Sequence, residues 1–169
     1  MKNKSVKNLV YSALIAAIYC ALTVCLAPIS FGAVQFRIAE ALTLLPILAS
    51  TNIVGLTLGC ALSNAIGFFM GANILGAFDI VFGTLATLLA AVFTYLCRNI
   101  RFKKLPILSA IFPAIFNSII IGAELCILFN GKFIFSAFLL QALLVAIPEL
   151  IICLTFGLYL VRFLEKRRI

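Results

Sequence analysis

The chain has 169 residues, of which 65% are hydrophobic and only 11% are charged, and its mean hydropathy is +1.27. Soluble domains use roughly 25% charged residues, so this composition excludes an ordinary soluble domain and indicates an integral membrane protein. The net charge of +8 is concentrated at segment ends rather than along one face, which argues against nucleic-acid binding.

Apolar runs separated by Gly, Pro, Asn and basic clusters predict six membrane-spanning helices, because each crossing takes about 20 residues. The first, 9–27, is longer than the roughly 7 to 15 residues of a signal-peptide core, so we interpret it as a retained helix. The others are predicted at 37–49, 52–70, 77–97, 106–129 and 133–163, and 37–49 is the shortest. We therefore expect residues 1–169 to form a single all-α six-helix bundle.

Basic residues mark both ends of the chain and one loop. By the positive-inside rule these segments are cytoplasmic, and six crossings independently place both termini and the loop after the fourth helix on one side. The clusters are Lys2, Lys4 and Lys7; Arg98, Arg101, Lys103 and Lys104; and Arg162, Lys166, Arg167 and Arg168. The sequence predicts a multi-pass protein of a bacterial plasma membrane with cytoplasmic N and C termini.

Four carboxylates, Glu40, Asp79, Glu124 and Glu149, lie inside the apolar stretches. A charged carboxylate at the bilayer centre costs roughly 2.5 to 3.5 kcal/mol, so such groups normally face a bundle interior and mark a polar site. At about 1.5 Å per residue, the first three are expected toward the outer side and Glu149 near the middle. The alternative is internal satisfaction, for example by Arg37 pairing with Glu40 at i, i+3. This one cation cannot neutralise all four carboxylates, and we include Arg37 among the predicted substrate-binding residues.

Side-chain amides follow the carboxylates and extend the predicted substrate site. They are Asn64 and Asn117 near mid-membrane, Asn73 in the loop between the third and fourth helices, and Gln141 in the sixth helix. Asn117 and Glu124 are seven residues apart on one face of the fifth helix, and Gln141 and Glu149 are eight apart on the sixth. The chain has no His and no C-x-x-C pair, so we expect neither a metal site nor catalytic residues.

Small residues recur at every fourth position in two of the predicted helices, a spacing that lets helix backbones approach closely in lipid. In the third helix we expect this ridge to pack within the bundle, whereas in the first an external partner helix is an equal alternative. The residues are Gly55, Gly59, Ser63, Gly67 and Gly71 in the third helix, and Ala13, Ala17 and Ala21 in the first.

Three stretches carry a resemblance to a known family. They are Gln35-Phe36-Arg37-Ile38-Ala39-Glu40-Ala41-Leu42-Thr43-Leu44-Leu45-Pro46, Gly59-Cys60-Ala61-Leu62-Ser63-Asn64 and Asp79-Ile80-Val81-Phe82-Gly83-Thr84-Leu85-Ala86-Thr87. With these stretches the chain resembles the queuosine-precursor transporter family, QueT, over nearly its whole length. Members are regarded as substrate-binding S components of energy-coupling factor (ECF) transporters, in which a transmembrane T subunit and two ATPases supply the driving force.

The resemblance implies a 7-deazaguanine ligand, such as 7-aminomethyl-7-deazaguanine or a queuine-type base. One carboxylate would accept hydrogen bonds from the ring and a second would pair with the aminomethyl cation. Glu124 and Glu149 are the first candidates, Glu40 and Asp79 the next. In S components generally an Ala-x-x-x-Ala motif on the first helix contacts the T subunit, and both the 13/17 and the 17/21 pairs match it.

The chain contains no phosphate-cradling Walker loop, so we expect it to be no enzyme and to hold no cofactor, with ATP used by partner ATPases. Three alternatives remain open: an S component for another small vitamin or nucleobase, a stand-alone proton-coupled carrier, and, least favoured, an intramembrane enzyme.

Overall fold

The computed structural model describes residues 2–32 and 34–167, so Arg168 of the third basic cluster lies outside the described residues. Within that part of the chain the regular secondary structure is helical apart from one isolated β-bridge. The helices are α1 (Lys2–Cys25), α2 (Ala27–Ser30), a 3-10 helix that we label η1 (Ile38–Ile47), α3 (Asn52–Phe69), α4 (Phe78–Leu96), α5 (Ile107–Asn130), α6 (Phe135–Ile152), a π turn (Cys153–Gly157) and α7 (Leu158–Arg167).

Five helical stretches in the described residues are long and apolar enough to cross a membrane. They are Val6–Cys25, Asn52–Phe69, Phe78–Leu96, Ile107–Asn130 and Phe135–Arg167. These stretches coincide within a few residues with five of the six predicted segments. The prediction of an all-α multi-pass membrane protein is confirmed.

The segment predicted as the second spanning helix differs from the expectation. It forms the ten-residue η1, whose rise of about 2.0 Å per residue gives a length of about 20 Å, against about 30 Å for a hydrocarbon core. Pro46 has no N–H, and the Glu40 carbonyl accepts hydrogen bonds from the Thr43 hydroxyl at 2.5 Å and the Cys153 thiol at 3.6 Å. These hydrogen bonds compete with the α-helical hydrogen-bond pattern. Hydrophobic periodicity alone does not reveal this competition.

Contacts between α1 and α3 fix the direction of the chain. Ser12 of α1 donates to the carbonyl of Thr51 just before α3 at 2.9 Å, and further along both helices Gly59 lies against Ala16. Beyond the end of α1, Phe31 lies against Gly67 near the end of α3. The two helices are therefore parallel, and the chain returns along the bundle between them as η1.

η1 occupies the centre of the bundle, where it contacts α1, α3, α4, α5, α6, α7 and the π turn. Around its second half lies a cluster that we call the apolar core, formed by Leu44, Ile47, Ala110, Cys153, Leu158 and Val161. The close approach of η1 to the π turn depends on the glycine in that turn, because a Cβ at Gly157 would lie 3.1 Å from Leu44 Cδ2 and 3.3 Å from the Ala41 carbonyl. The sequence predicted one helix at 133–163, and the structure forms it as α6, the π turn and α7 in direct succession.

The two small-residue ridges differ in their surroundings. A Cβ at Gly55 would lie 2.6 Å from the carbonyl of Ser12, so the ridge of α3 packs inside the bundle, as expected. Gly71 lies beyond the end of that helix, at a φ of +68°. On α1, by contrast, the predicted contact residues Ala13, Ala17 and Ala21 are all exposed.

Candidate functional site

Buried polar side chains converge where α1, the start of η1, α3 and α4 meet. We call this cluster the polar centre, and its members are Tyr19, Arg37, Glu40, Cys60, Asn64, Asn73, Asp79 and Thr87. Every member has a relative exposure of at most 7%. The centre thus unites five of the nine predicted substrate-binding residues.

Arg37 links the two acidic side chains of the polar centre. Its Nη1 lies 4.0 Å from Glu40 Oε1, as the i, i+3 spacing predicts, and its Nη2 lies 3.7 Å from Asp79 Oδ2. The guanidinium also stacks over the ring of Phe31, with 5.4 Å between Cζ and the ring centroid. Because direct charge-assisted hydrogen bonds are about 2.7 to 2.9 Å long, both ion pairs are loose and leave donors available.

Two amide side chains hold Asp79 in the first turn of α4. Asn73 Nδ2 donates to its Oδ2 at 2.8 Å, and Asn64 Nδ2 donates to its backbone carbonyl, also at 2.8 Å. One turn further along α4, a Cβ at Gly83 would collide with the Asp79 carboxylate and lie 2.7 Å from Asn64 Nδ2. A side chain as small as hydrogen is therefore required at position 83.

Tyr19 and Cys60 belong to the site although the sequence analysis did not single them out. The Tyr19 hydroxyl donates to Glu40 Oε1, and Cys60 Sγ accepts from Thr87 Oγ1 at 3.2 Å and from Asn64 Nδ2 at 3.5 Å. One signal was available for the tyrosine: the buried face of α1 has polar residues at 12, 19 and 23, opposite the alanine ridge. Cys60 differs from the other thiols only in lying within the stretch 59–64 that carries the family resemblance.

A short stretch between α3 and α4 lies against the polar centre, and we call 71–76 the cover segment. It is bounded by Gly71 and Gly76, both at a φ of +68°. Within it, Asn73 reaches Asp79, and Asn73 Oδ1 also accepts from the backbone N–H of Leu75 at 3.1 Å. The Leu75 side chain packs among Ile121, Leu125 and Val145 of α5 and α6.

Several buried polar atoms here have no hydrogen-bond partner among the described residues. They are Arg37 Nε and Nη2, Glu40 Oε2, Asn64 Oδ1 and Asp79 Oδ1. More than 90% of buried polar groups in proteins are normally satisfied, so this concentration of donors and acceptors is unusual. It gives the polar centre the capacity to bind a small ligand that both donates and accepts.

The remaining predicted residues lie outside the polar centre. Asn117 Nδ2 donates to Glu149 Oε1 at 2.5 Å, which fixes both side chains between α5 and α6. Glu124 instead lines a groove of about 600 Å³ between α4 and α5, together with Leu75 and Phe78, and neither of its carboxylate oxygens has a hydrogen-bond partner among the described residues. Gln141 is partly buried, and its Oε1 is likewise unpartnered. The two carboxylates predicted as first candidates thus occupy different surroundings.

No group of three or more His, Cys, Asp or Glu within the described ranges is arranged to hold a metal ion. The polar centre contains acids, one guanidinium, amides, a phenol, a thiol and a hydroxyl. This set of groups can both donate hydrogen bonds to a ligand and accept them from it.

Comparisons with known proteins identify the family of the chain. The queuosine precursor transporter QueT of Lactococcus lactis subsp. cremoris is 35% identical to the chain over 90 residues, which are 52% of this chain and 49% of that protein. The match therefore spans about half the length of this curated relative. No solved structure matches the chain. The model of the QueT transporter family matches residues 9–166, and the chain belongs to that family.

Proposed function

We propose that this protein is the substrate-binding S component of an ECF importer and that its ligand is a queuosine precursor, such as 7-aminomethyl-7-deazaguanine. Family membership and the name of the lactococcal relative support the substrate class. The observation that carries the proposal is the set of unpartnered donors and acceptors in the polar centre. A 7-deazaguanine supplies the complementary donors and acceptors on one rigid ring.

The two ends of the ligand have different partners in this proposal. Glu40 Oε2 and Asp79 Oδ1 accept hydrogen bonds from the N–H edge of the ring, and the Arg37 guanidinium donates to its carbonyl. Glu124 pairs with the aminomethyl cation, because both of its oxygens are unpartnered, whereas one oxygen of Glu149 already accepts from Asn117.

The first test is calorimetric titration of the purified chain with 7-aminomethyl-7-deazaguanine, guanine and cationic vitamins. We expect selective binding of the deazapurine. Selective binding of a vitamin or another nucleobase instead would overturn the substrate assignment and favour an S component of different specificity. Absence of binding by every compound would overturn the binding role itself.

Two matched variants test the assignment of the cation. Glu124→Gln should weaken binding of the aminomethyl compound at least tenfold, because loss of a charge-assisted hydrogen bond costs about 1.5 to 3 kcal/mol. Its affinity for an uncharged 7-deazaguanine should change little. Glu149→Gln is the control, and a larger loss in that variant would exchange the roles of the two residues.

We also propose a six-pass topology with cytoplasmic termini, in which residues 26–51, including η1, make the second crossing. The exposed ridge of Ala13, Ala17 and Ala21 on α1 is the surface for the T subunit, since small residues allow close helix approach. Two cytoplasmic ATPases, which bind and hydrolyse ATP, complete the importer.

Uptake into proteoliposomes tests the dependence on partners. The chain alone should bind substrate without accumulating it, and accumulation should require the T subunit, the ATPases and ATP. Ala17→Leu should abolish accumulation while preserving binding, and Ala13→Leu compared with Ala21→Leu identifies the docking pair. Full uptake by the chain alone, dissipated when the proton gradient is collapsed, would establish a proton-coupled carrier instead.

A further inference from the structure

The loop between α4 and α5 contains a tight turn with two lysines at its tip. Phe102 and Leu105 exchange backbone hydrogen bonds, each 2.9 Å long, across Lys103 and Lys104. The φ angles of the two lysines are +48° and +68°, the pattern of a type I′ turn. These are the only non-glycine residues at positive φ in the described ranges.

Lysine is an unfavourable choice at both positions of such a turn. Type I′ turns strongly prefer Asn-Gly, because a side chain at positive φ crowds the backbone. A strained conformation held by an unsuitable residue is a reason to look for a function of its side chain. Here both lysines at the tip of the turn are exposed.

The two arginines of the same loop are already engaged. Arg98 donates to the Tyr95 carbonyl at 2.8 Å and lies 3.9 Å from the centroid of its ring. Arg101 makes two hydrogen bonds to Glu165 of α7, at 2.6 and 3.1 Å. Lys103 Nζ lies 5.8 Å from the centroid of the Phe102 ring within the turn, and both lysines are exposed, so both remain accessible to a partner outside this chain.

Exposed apolar side chains surround the lysines. Phe102 is 64% exposed, Ile100 56% and Leu96, on the last turn of α4, 61%. α4 is apolar enough to cross a membrane, and its exposed apolar surface leads directly to the two ammonium groups. Basic residues beside apolar and aromatic side chains are typical of the bilayer interface, where ammonium groups meet lipid phosphates.

We propose that the Lys103–Lys104 turn binds the headgroups of anionic phospholipids while Phe102 and Ile100 insert at the acyl boundary. A membrane is favoured over an acidic protein partner because the lysines are interleaved with apolar side chains that continue the bilayer-facing surface of α4. Anionic headgroups attract each nearby lysine by an amount that corresponds to roughly a fivefold gain in affinity.

The test uses a double variant that suits the turn better than the natural residues. The purified full chain in neutral detergent is titrated with phosphatidylglycerol or with phosphatidylcholine, and the thermal unfolding midpoint is measured. We expect phosphatidylglycerol to raise the midpoint of the natural protein more than phosphatidylcholine does, and this difference should shrink at about 1 M salt, where the Debye length is about 3 Å.

Lys103→Asn combined with Lys104→Gly should remove the difference between the two lipids and raise the midpoint in lipid-free detergent. Lys132→Asn, in a separate loop, is the control and should keep the difference. An unchanged lipid response in the double variant would overturn the proposal. So would equal stabilisation by soluble glycerol phosphate, or a lysine-dependent effect that appears only with the T subunit and ATPases.

Discussion

The two ends of η1 lie in opposite environments within one short helix. At its start, Arg37 and Glu40 enter the polar centre, where ion pairs are 3.7 to 4.0 Å long and several polar atoms are unpartnered. At its end, Leu44 and Ile47 pack in the apolar core, and Leu44 is fully buried. Apolar packing therefore holds the second half of η1, whereas the first half contains polar atoms without hydrogen-bond partners among the described residues.

The largest effect is expected from Arg37→Gln, which removes the cation of the polar centre. Glu40 and Asp79 would then be buried together without a positive partner, and breaking a buried ion pair costs about 3 to 5 kcal/mol. We expect a loss of that size in the free energy of unfolding in detergent, together with loss of ligand binding. Adding Asp79→Asn should restore part of the stability, and a fully stable single variant would contradict the importance of the pairing.

Leu44→Ala tests the other end of η1. Leu44 lies against Gly157 in the apolar core, and truncation of a buried leucine costs about 2 to 5 kcal/mol because it leaves a cavity. Chemical denaturation should show this loss, while calorimetry on the folded fraction should give ligand affinity within about twofold of the natural protein. A large change in affinity would mean that the two ends of η1 are coupled.

Gly83→Ala is expected to perturb the polar centre with a smaller loss of stability. The added methyl group would displace Asp79 and Asn64, and overpacking costs about 1 to 3 kcal/mol. We expect ligand affinity to fall about tenfold by calorimetry. The control is Gly122→Ala, where the methyl would lie 2.9 Å from the Ala142 backbone between α5 and α6. Equal loss of affinity in both variants would assign the effect to general helix packing.

The smallest effect is expected from Glu165→Gln, which breaks the pair with Arg101 far from the polar centre. Both side chains are about one third exposed, and exposed ion pairs contribute about 0 to 1 kcal/mol. Stability should change within that range in detergent, and ligand binding should not change. A loss comparable to that of Leu44→Ala would show that this loop contributes to the fold.

The sequence predicted the long helices well because each is a continuous apolar run bounded by Gly, Pro or Asn. For α3, the predicted 52–70 compares with Asn52–Phe69 in the structure. For 37–49 the sequence predicted a short helix but not its 3-10 form, because the hydrogen bonds of Thr43 and Cys153 to the Glu40 carbonyl are not contained in hydropathy. The sequence did not predict the π turn after α6 for a similar reason, because this turn accommodates the close approach of η1 at Gly157.

For the candidate site, the sequence supplied residue types and local pairs. The spacing of Arg37 and Glu40 predicted their ion pair, and the cost of buried charge selected Asp79 correctly as a polar-centre residue. It could not predict that Asn117 bonds Glu149 while Glu124, on the same helix, lines a groove. Those contacts depend on which faces of α4, α5 and α6 meet, and several arrangements satisfy the same periodicity.

The 3-10 geometry of η1 also determines how insertions and deletions would act. With three residues per turn, side chains at i and i+3 lie in one line, so Glu40 and Thr43 share one edge and Leu44 and Ile47 share another. Deleting one residue between positions 40 and 43 would rotate the rest of the helix by about 120° and separate the polar edge from the apolar face. Deleting three would only shorten the helix by about 6 Å and keep each face in place. We therefore expect η1 to keep its faces when its length changes by three residues. In the surrounding α-helices, residues on one face are three or four positions apart.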